Sequence, residues 1–343
     1  MKSPVLRNPA EISVTVPVAE IENFGHALLD ISVEDFKNAG FAPGDLVTVT
    51  AGSFQKTMPF LDGYYVNSGE YMLRAFPSDT NIAVCVNYGR FSEAAGIAVG
   101  DPVTVCLREK AGALVLQETS CLVASDSRAD YASDEEFANF RAIVPGRLYR
   151  SASPLQNPAA DGLIRKAGIR SVMNLADTEE ALRKALTGDK AGFPYYRELI
   201  RSGHVILLCM PINFASGEFG RGIVQGFSFL LEKEGPYLLH CLKGKDRAAF
   251  ASMLPEMLIG WNKDDILADY MLSYTNYYRV QPGSEKYSLI MEREPSVMMR
   301  VIAGLDKDAS LDGVDWQAAA ARYLTAHGMS RSGVEALKKY LME

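Results

Sequence analysis

Residues 236–250 read PYLLHCLKGKDRAAF, and this stretch decides the fold of most of the chain. Tyr237 to Cys241 form a short apolar run bounded by Gly235 and Pro236, the pattern of a buried strand. Gly244 sits in the middle of the loop that follows. From Arg247 onward AAFASMLPEMLIGW reads as a helix, and Pro255 inside it predicts a kink or break near Leu254. A strand that passes through a short glycine-bearing loop into a helix can turn its loop amides inward as an anion nest. The helix N-terminus adds positive potential, and the same field favours the reactive thiolate form of Cys241. Arg247 has the fork geometry to hold two phosphate oxygens. A Cys and an Arg six positions apart mean little alone, and the alternative is a buried cysteine beside a surface arginine. The strand–loop–helix context is what raises the specificity.

Working outward, strands and helices alternate from about Asp126. IRSVMNLA and HVILLCMPI are short buried-strand candidates, GIVQGFSFLLEKEG is an amphipathic helix closing on glycine, and KDDILADYMLSYTNYY is another helix. The end, VDWQAAAARYLTAHGMSRSGVEALKKYLME, reads as two helices separated by His327-Gly328. This alternation predicts an α/β domain with a mostly parallel sheet flanked by helices. The N-terminal part has a different texture. ISVTVPVAEI and DLVTVTA alternate apolar and polar residues, and NIAVCVNYG and DPVTVCL are β-branched runs next to turns. APGD (42–45) and AVGD (98–101) are matching Gly-Asp turns before strands. We therefore expect a small mostly-β, barrel-like domain over 1–108, a linker over 109–125 and the α/β domain over 126–343.

The whole chain fits this division. Its 343 residues correspond to roughly two domains at about 150 residues each. A hydrophobic share of 48% and a charged share of 22% are those of a folded soluble protein. The net charge of −7 excludes a general basic surface for nucleic acid. Residues 1–110 carry 8 basic and 13 acidic side chains, and the remainder 27 and 29, so most of the negative balance lies in the N-terminal part. MKSPVLRNPAE lacks the apolar core of a signal peptide, and no apolar run approaches the about 18 residues of a membrane span. The cysteines (Cys85, Cys106, Cys121, Cys209, Cys241) are irregularly spaced and do not form a disulfide framework. A reduced, cytoplasmic compartment is expected. All but Cys241 read as packing residues. The four histidines (His26, His204, His240, His327) are scattered and form no metal-ligand cluster.

The string His240-Cys241-Leu242-Lys243-Gly244-Lys245-Asp246-Arg247 resembles the phosphate-binding loop of the cysteine-dependent protein tyrosine phosphatase superfamily. The likeness extends to the bacterial tyrosine phosphatase family that includes lipid-active members. Asn139-Phe140-Arg141 with Gly146-Arg147-Leu148-Tyr149-Arg150-Ser151-Ala152 resembles that family's opening motif. Gly168 to Leu175 resembles its next strand. Ala268-Asp269-Tyr270-Met271-Leu272-Ser273 and Tyr323-Leu324 through Leu341 follow its pattern, so about 126–343 is covered. The resemblance implies phosphomonoester hydrolysis in two steps without a metal or other cofactor. The Cys241 thiolate attacks phosphorus, giving a phosphocysteine, and water then releases phosphate. Arg247 and the loop amides would stabilise the equatorial oxygens. His240 reads as a loop-orienting residue and not a base. The implied substrates are a phosphorylated protein or a phosphoinositide or inositol phosphate.

The general acid is open at this level. The stretch Met210 to Glu218, where many members carry a mobile Asp, has none. Asp246 within the loop resembles the acid of myotubularin-like and Sac-like phosphoinositide phosphatases. Glu218, Asp177, or an Asp246 that merely pairs with a lysine are the alternatives. Lys243 and Lys245 meet a second phosphate or simply raise the local potential. Three departures stand out. Ala248 replaces a usual Ser or Thr whose hydroxyl would stabilise the departing sulfur, which allows a slow enzyme or a phosphate-binding pseudoenzyme. Ala249 replaces a common Gly, and Asn174 a common Asp. Over about 12–108, Asn23-Phe24-Gly25-His26-Ala27-Leu28-Leu29-Asp30, Gly44-Asp45, Gly69-Glu70, Asn81 to Gly89 and Gly100-Asp101 are similar to another family. It is the C-terminal β domain of the S-adenosylmethionine hydroxide adenosyltransferase/fluorinase family, with His26 in place of Asn. The catalytic half of that family is absent, which leaves a scaffold, a partner-binding barrel or an adenosine-type ligand site.

Overall fold

A computed structural model describes residues 12–187 and 192–343. The expectations for residues 1–11 lie outside the described residues. The chain divides into two compact units between Leu122 and Val123.

In the first unit the alternating segments become strands because each buries one face. Strands β1 (Ser13–Ile21), β2 (Ala27–Ser32), β3 (Leu46–Ala51), β4 (Phe54–Leu61), β5 (Tyr71–Arg74), β6 (Asn81–Val86) and β7 (Pro102–Glu109) close a barrel in the order β1-β2-β6-β5-β4-β3-β7. Only the β4/β5 neighbours run parallel. Val47, Val49, Val103 and Val105 point into the core with Leu29, Phe60 and Val84. The intervening threonines face out and pair across strands, Thr48 with Thr57 at 3.0 Å and Thr15 with Thr104 at 2.9 Å. Closure leaves no open sheet edge.

The two Gly-Asp turns are built alike. Asp45 Oδ2 accepts the Ala42 N–H at 2.7 Å, and Asp101 Oδ2 accepts the Ala98 N–H at 2.8 Å. Gly44 and Gly100 take φ of 95° and 94°, a left-handed region that favours glycine. Their surroundings differ. Asp101 is exposed, whereas Asp45 is buried and also accepts from Lys110 Nζ and the Ala111 N–H, each at 2.9 Å. The stretch expected as a linker is tied down at this point. Residues Leu114–Ser120 form a helix whose Gln117 accepts the Asp62 N–H at 3.1 Å, so 109–122 belongs with the barrel unit.

The second unit holds a five-stranded sheet of β8 (Arg141–Val144), β9 (Leu148–Ala152), β10 (Ser171–Asn174), β11 (Val205–Leu207) and β12 (Tyr237–Cys241). The order is β11-β10-β12-β9-β8. β8 and β9 form an antiparallel hairpin, and all other neighbours are parallel. β12 is central and every one of its residues is buried, which is why it reads as a continuous apolar run. HVILLCMPI gives only the short β11, because Cys209 turns to φ 46° and ends the extended chain. Ser216 caps the Gly217–Leu231 helix by accepting the Phe219 N–H at 3.1 Å, so this helix starts earlier than its apolar pattern. The Arg247–Leu258 helix is buried on all sides after Arg247. Pro255 does not break it as expected. The proline only withholds a bond from the Ala251 carbonyl, and packing from every side keeps the helix running. Among the described residues, no helix is long and apolar enough to cross a membrane.

The paired turns give a direct test of burial. Asp45→Ala should destabilise the barrel by about 2–3 kcal/mol, since it strips partners from buried donors. Asp101→Ala should cost under about 1 kcal/mol. Denaturant unfolding of the two variants checks this, and equal losses would contradict it.

Candidate active site

The three parallel strands β10, β12 and β9 end on one side of the sheet, and β12 delivers Cys241 there, in register with Ala152 of β9. The loop Leu242 to Asp246 follows, and Arg247 opens the next helix. The carbonyls of Leu242, Lys243, Gly244 and Lys245 are held from outside the loop. Leu242 O accepts the Ser153 N–H at 3.2 Å. Lys243 O accepts from the Tyr277 hydroxyl at 2.9 Å and Asn139 Nδ2 at 3.2 Å. Gly244 O and Lys245 O accept from the Arg150 guanidinium at 3.1 and 3.2 Å. In a trans peptide the following N–H points opposite to the carbonyl. The N–H groups of Lys243, Gly244, Lys245 and Asp246 are therefore turned to the inner side. Among the described residues, none of these four has an acceptor. Amides arranged in this way have the geometry of an anion nest.

Gly244 is required where it stands. Its φ is 67°, and a Cβ there would lie 2.4 Å from the Ser151 carbonyl carbon and oxygen. Cys241 is 3% exposed. Arg247 donates one bond to the Met210 carbonyl at 2.7 Å, while its buried Nε has no partner among the described residues and is available to an oxyanion.

Arg150, from β9, is fully buried and is the residue that sequence reasoning passed over. Besides the loop carbonyls it donates to Ser252 Oγ at 3.0 Å and to Asp269 Oδ2 at 2.5 Å. Arg141 grips the same carboxylate, Nε to Oδ1 at 2.6 Å. Burial alone would raise the Asp269 pKa, but Arg141 and Arg150 win and hold it below the ordinary carboxylate value. The only local sign was an arginine inside a strand-like string, an expensive residue to bury without a partner.

His240 is fully buried, with its Nε2 and the Tyr196 hydroxyl sharing a hydrogen bond at 2.8 Å. Asn174 Nδ2 donates to that hydroxyl and to Asp177 Oδ2, both at 3.0 Å, and Ser153 donates to the same Asp177 oxygen at 2.7 Å. An Asp at 174 could not donate to both oxygens, which accounts for the amide found there. Asp177 is committed to this network and buried, so it does not reach a leaving group. Glu218 is exposed in the first turn of its helix. Asp246 Oδ1 lies 3.2 Å from Lys245 Nζ and 3.3 Å from the Tyr270 hydroxyl, so its carboxylate is engaged within the loop's surroundings. Lys245 also meets the Tyr274 hydroxyl at 2.7 Å and Glu294 at 3.4 Å. Burial opposes its charge, but Asp246 and Glu294 hold its pKa above the ordinary lysine value. Lys245 is thus turned inward, while Lys243 points to the rim, where Asp126 lies 3.1 Å away.

Of the cysteines read as packing residues, Cys85 is buried, and burial raises its thiol to about 12. Cys121 and Cys209 are exposed, contrary to expectation, because both lie where regular structure ends. In the barrel unit, Phe24, His26, Asn87 and Tyr88 line one cleft of about 430 Å³. Phe24 and Tyr88 project from it at 77% and 88% exposure.

Burial lowers the His240 pKa from 6.5 to about 4, so the folded state keeps the ring neutral. A depressed histidine contributes stability above its unfolded pKa and loses it as pH falls through the folded value. Thermal unfolding of the protein should thus show a loss on the order of 3 kcal/mol between pH 6.5 and 4 that His240→Gln lacks. Parallel pH profiles would contradict this assignment.

The comparisons with known proteins bear on this unit. A family model described as tyrosine phosphatase family matches residues 135–343. A Cupriavidus necator protein provisionally named a tyrosine-protein phosphatase is 30% identical over 155 residues, 40% of this chain and 56% of that one. The chain thus spans just over half the length of this curated relative. Among solved structures, P. aeruginosa TpbA is 18% identical, with 59% of this chain and 98% of that chain covered and a TM-score of 0.30. The core catalytic domain of the PP-IP phosphatase SIW14 from S. cerevisiae is 17% identical, with 48% and 91% covered and a TM-score of 0.29. On the family match, which covers well over half its length and includes the Cys241–Arg247 loop, the chain belongs to the tyrosine phosphatase family.

Proposed function

We propose that this protein hydrolyses phosphomonoesters, of a phosphorylated protein or of a phosphoinositide or inositol phosphate, through a phosphocysteine at Cys241. The observation that carries the reading is the loop whose carbonyls from Leu242 to Lys245 are held from outside, leaving inward amides between a cysteine and an arginine. The phosphate would sit on these amides and on the Arg247 guanidinium. The Cys241 thiolate forms the S–P bond as the ester P–O bond breaks, and the leaving oxygen takes a proton from Asp246. Water then cleaves the S–P bond and frees phosphate. No step calls on a metal or other cofactor. We place this chemistry in the cytoplasm.

A second reading is a phosphate-binding module with little turnover. Two observations favour it: Asp246 is engaged by Lys245 and Tyr270, and Ala248 offers no hydroxyl to the departing sulfur. In either reading the barrel unit would serve as a scaffold, bind a partner or take a nucleoside ligand, for which the cleft lined by Phe24 and Tyr88 offers a place.

Phosphate release from phosphotyrosine peptides, phosphoinositides and soluble inositol phosphates separates the readings. Wild type should turn over at least one class, and Cys241→Ser should lose about a thousandfold or more. Asp246→Asn should cost alkyl phosphates about tenfold to a hundredfold more than aryl phosphates, because poor leaving groups need the proton. No Cys241-dependent release from any substrate overturns the phosphatase reading, and equal losses on both ester types remove Asp246 as the acid.

A further inference from the structure

Glu294 stands between the Glu285–Arg293 and Pro295–Ala303 helices. Its backbone is fixed from both sides. Its N–H donates to the Ile290 carbonyl at 2.9 Å, and its carbonyl accepts the Met298 N–H at 3.1 Å. Its side chain is largely buried, and each carboxylate oxygen takes one tyrosine hydroxyl of the Lys263–Tyr278 helix. Tyr270 donates to Oε2 at 2.5 Å, and Tyr274 donates to Oε1. Lys245 Nζ lies 3.4 Å from Glu294 Oε2, 2.7 Å from the Tyr274 hydroxyl and 3.2 Å from Asp246 Oδ1. The Tyr278 ring faces the same ammonium at 6.0 Å.

Asp246 is the odd member of this cluster. It stands at the N-cap of the Arg247–Leu258 helix, where an aspartate ordinarily accepts a helix N–H, yet it makes no cap bond. Its Oδ1 lies 3.3 Å from the Tyr270 oxygen. That hydroxyl has one proton. Burial first, and then Glu294, raise the Tyr270 pKa well above its ordinary value, which keeps the proton on the ring oxygen. An O–H···O bond spans about 2.5–3.0 Å. The proton therefore lies on the contact with Glu294 and not on the one with Asp246. Tyr270 turns a lone pair toward Asp246, which suits a carboxylic O–H and opposes a carboxylate. Lys245 favours the carboxylate, but its charge is shared with Glu294.

We propose that Glu294 is a positioning residue for the leaving-group proton. It takes the Tyr270 proton and a share of Lys245, so that Asp246 faces a lone pair and holds the proton it later gives away. When the ester P–O bond breaks, that proton passes to the leaving oxygen, and Lys245 is at hand for the carboxylate left behind. The water that cleaves the S–P bond returns a proton to Asp246. This inference rests on the reading of Asp246 as the acid.

Phosphate release from one alkyl and one aryl phosphomonoester tests it, in wild type, Glu294→Gln and Tyr270→Phe, each with and without Asp246→Asn. Glutamine has no charge to share Lys245 and one acceptor oxygen in place of two. Phenylalanine keeps the ring but offers Asp246 no lone pair. Each single variant should lose about three- to tenfold more kcat/KM on the alkyl than on the aryl ester, the scale of one hydrogen bond. Neither should add to that selectivity once Asp246 is Asn. A merely structural role would lower both esters alike. Equal losses on both esters in Glu294→Gln, or a selective loss that persists with Asp246→Asn, overturns the proposal, while alkyl-selective loss in Asp246→Asn alone leaves the phosphatase reading standing. Should Glu294→Gln fail to fold, Tyr270→Phe decides by the same criteria. Asp246→Asn without selectivity removes the acid and with it the role of Glu294, and a wild type without Cys241-dependent release ends both readings.

Discussion

The buried guanidinium of Arg150 is the interaction on which the active-site unit turns. It bonds outward-facing carbonyls of Gly244 and Lys245, and by peptide geometry this turns the next two amides to the inner side of the loop. A buried arginine must be compensated, and Asp269 with Ser252 does so from two different helices. One contact thus fixes β9, the loop, the Arg247–Leu258 helix and the Lys263–Tyr278 helix together. Gly244 follows from the same constraint, since the loop lies so close to Ser151 that no side chain fits.

The charge behind the loop matters as much as its shape. Arg141 and Arg150 share the single carboxylate of Asp269, so the cluster retains one positive charge beside the anion seat. Glu256, on the same buried helix, does not cancel it. Burial first, and then Asp269, push its pKa well up, which favours its neutral form. The acidic balance of the whole chain is therefore no obstacle to a phosphate substrate. The field that counts is local and set by low-dielectric burial.

The strand–loop–helix core was legible in the sequence because β12 is buried on both faces and reads as an uninterrupted apolar run. The barrel strands were legible through their alternation. Arg150 was within a quoted motif, yet its role was invisible. Its partners lie 94 and 119 positions away, and only the parallel pairing of β9 with β12 brings them together. The helices at Glu285–Arg293 and Pro295–Ala303 also escaped notice, although Glu294 between them turns out to bind Lys245. The helix also runs on through Pro255, where a kink or break was expected, since tertiary packing outweighs one lost backbone bond. Local pattern reports burial well and long-range hydrogen bonding poorly.

The central claim is that Arg150 forms the anion seat by holding loop carbonyls outward. Inorganic phosphate affinity of Arg150→Lys tests it most directly, because lysine keeps the charge but cannot reach two carbonyls and Asp269 with one fork. With folding verified by circular dichroism, phosphate affinity should fall about tenfold or more, the scale of one or two lost charged hydrogen bonds. Unchanged phosphate affinity in a folded Arg150→Lys protein would contradict the account.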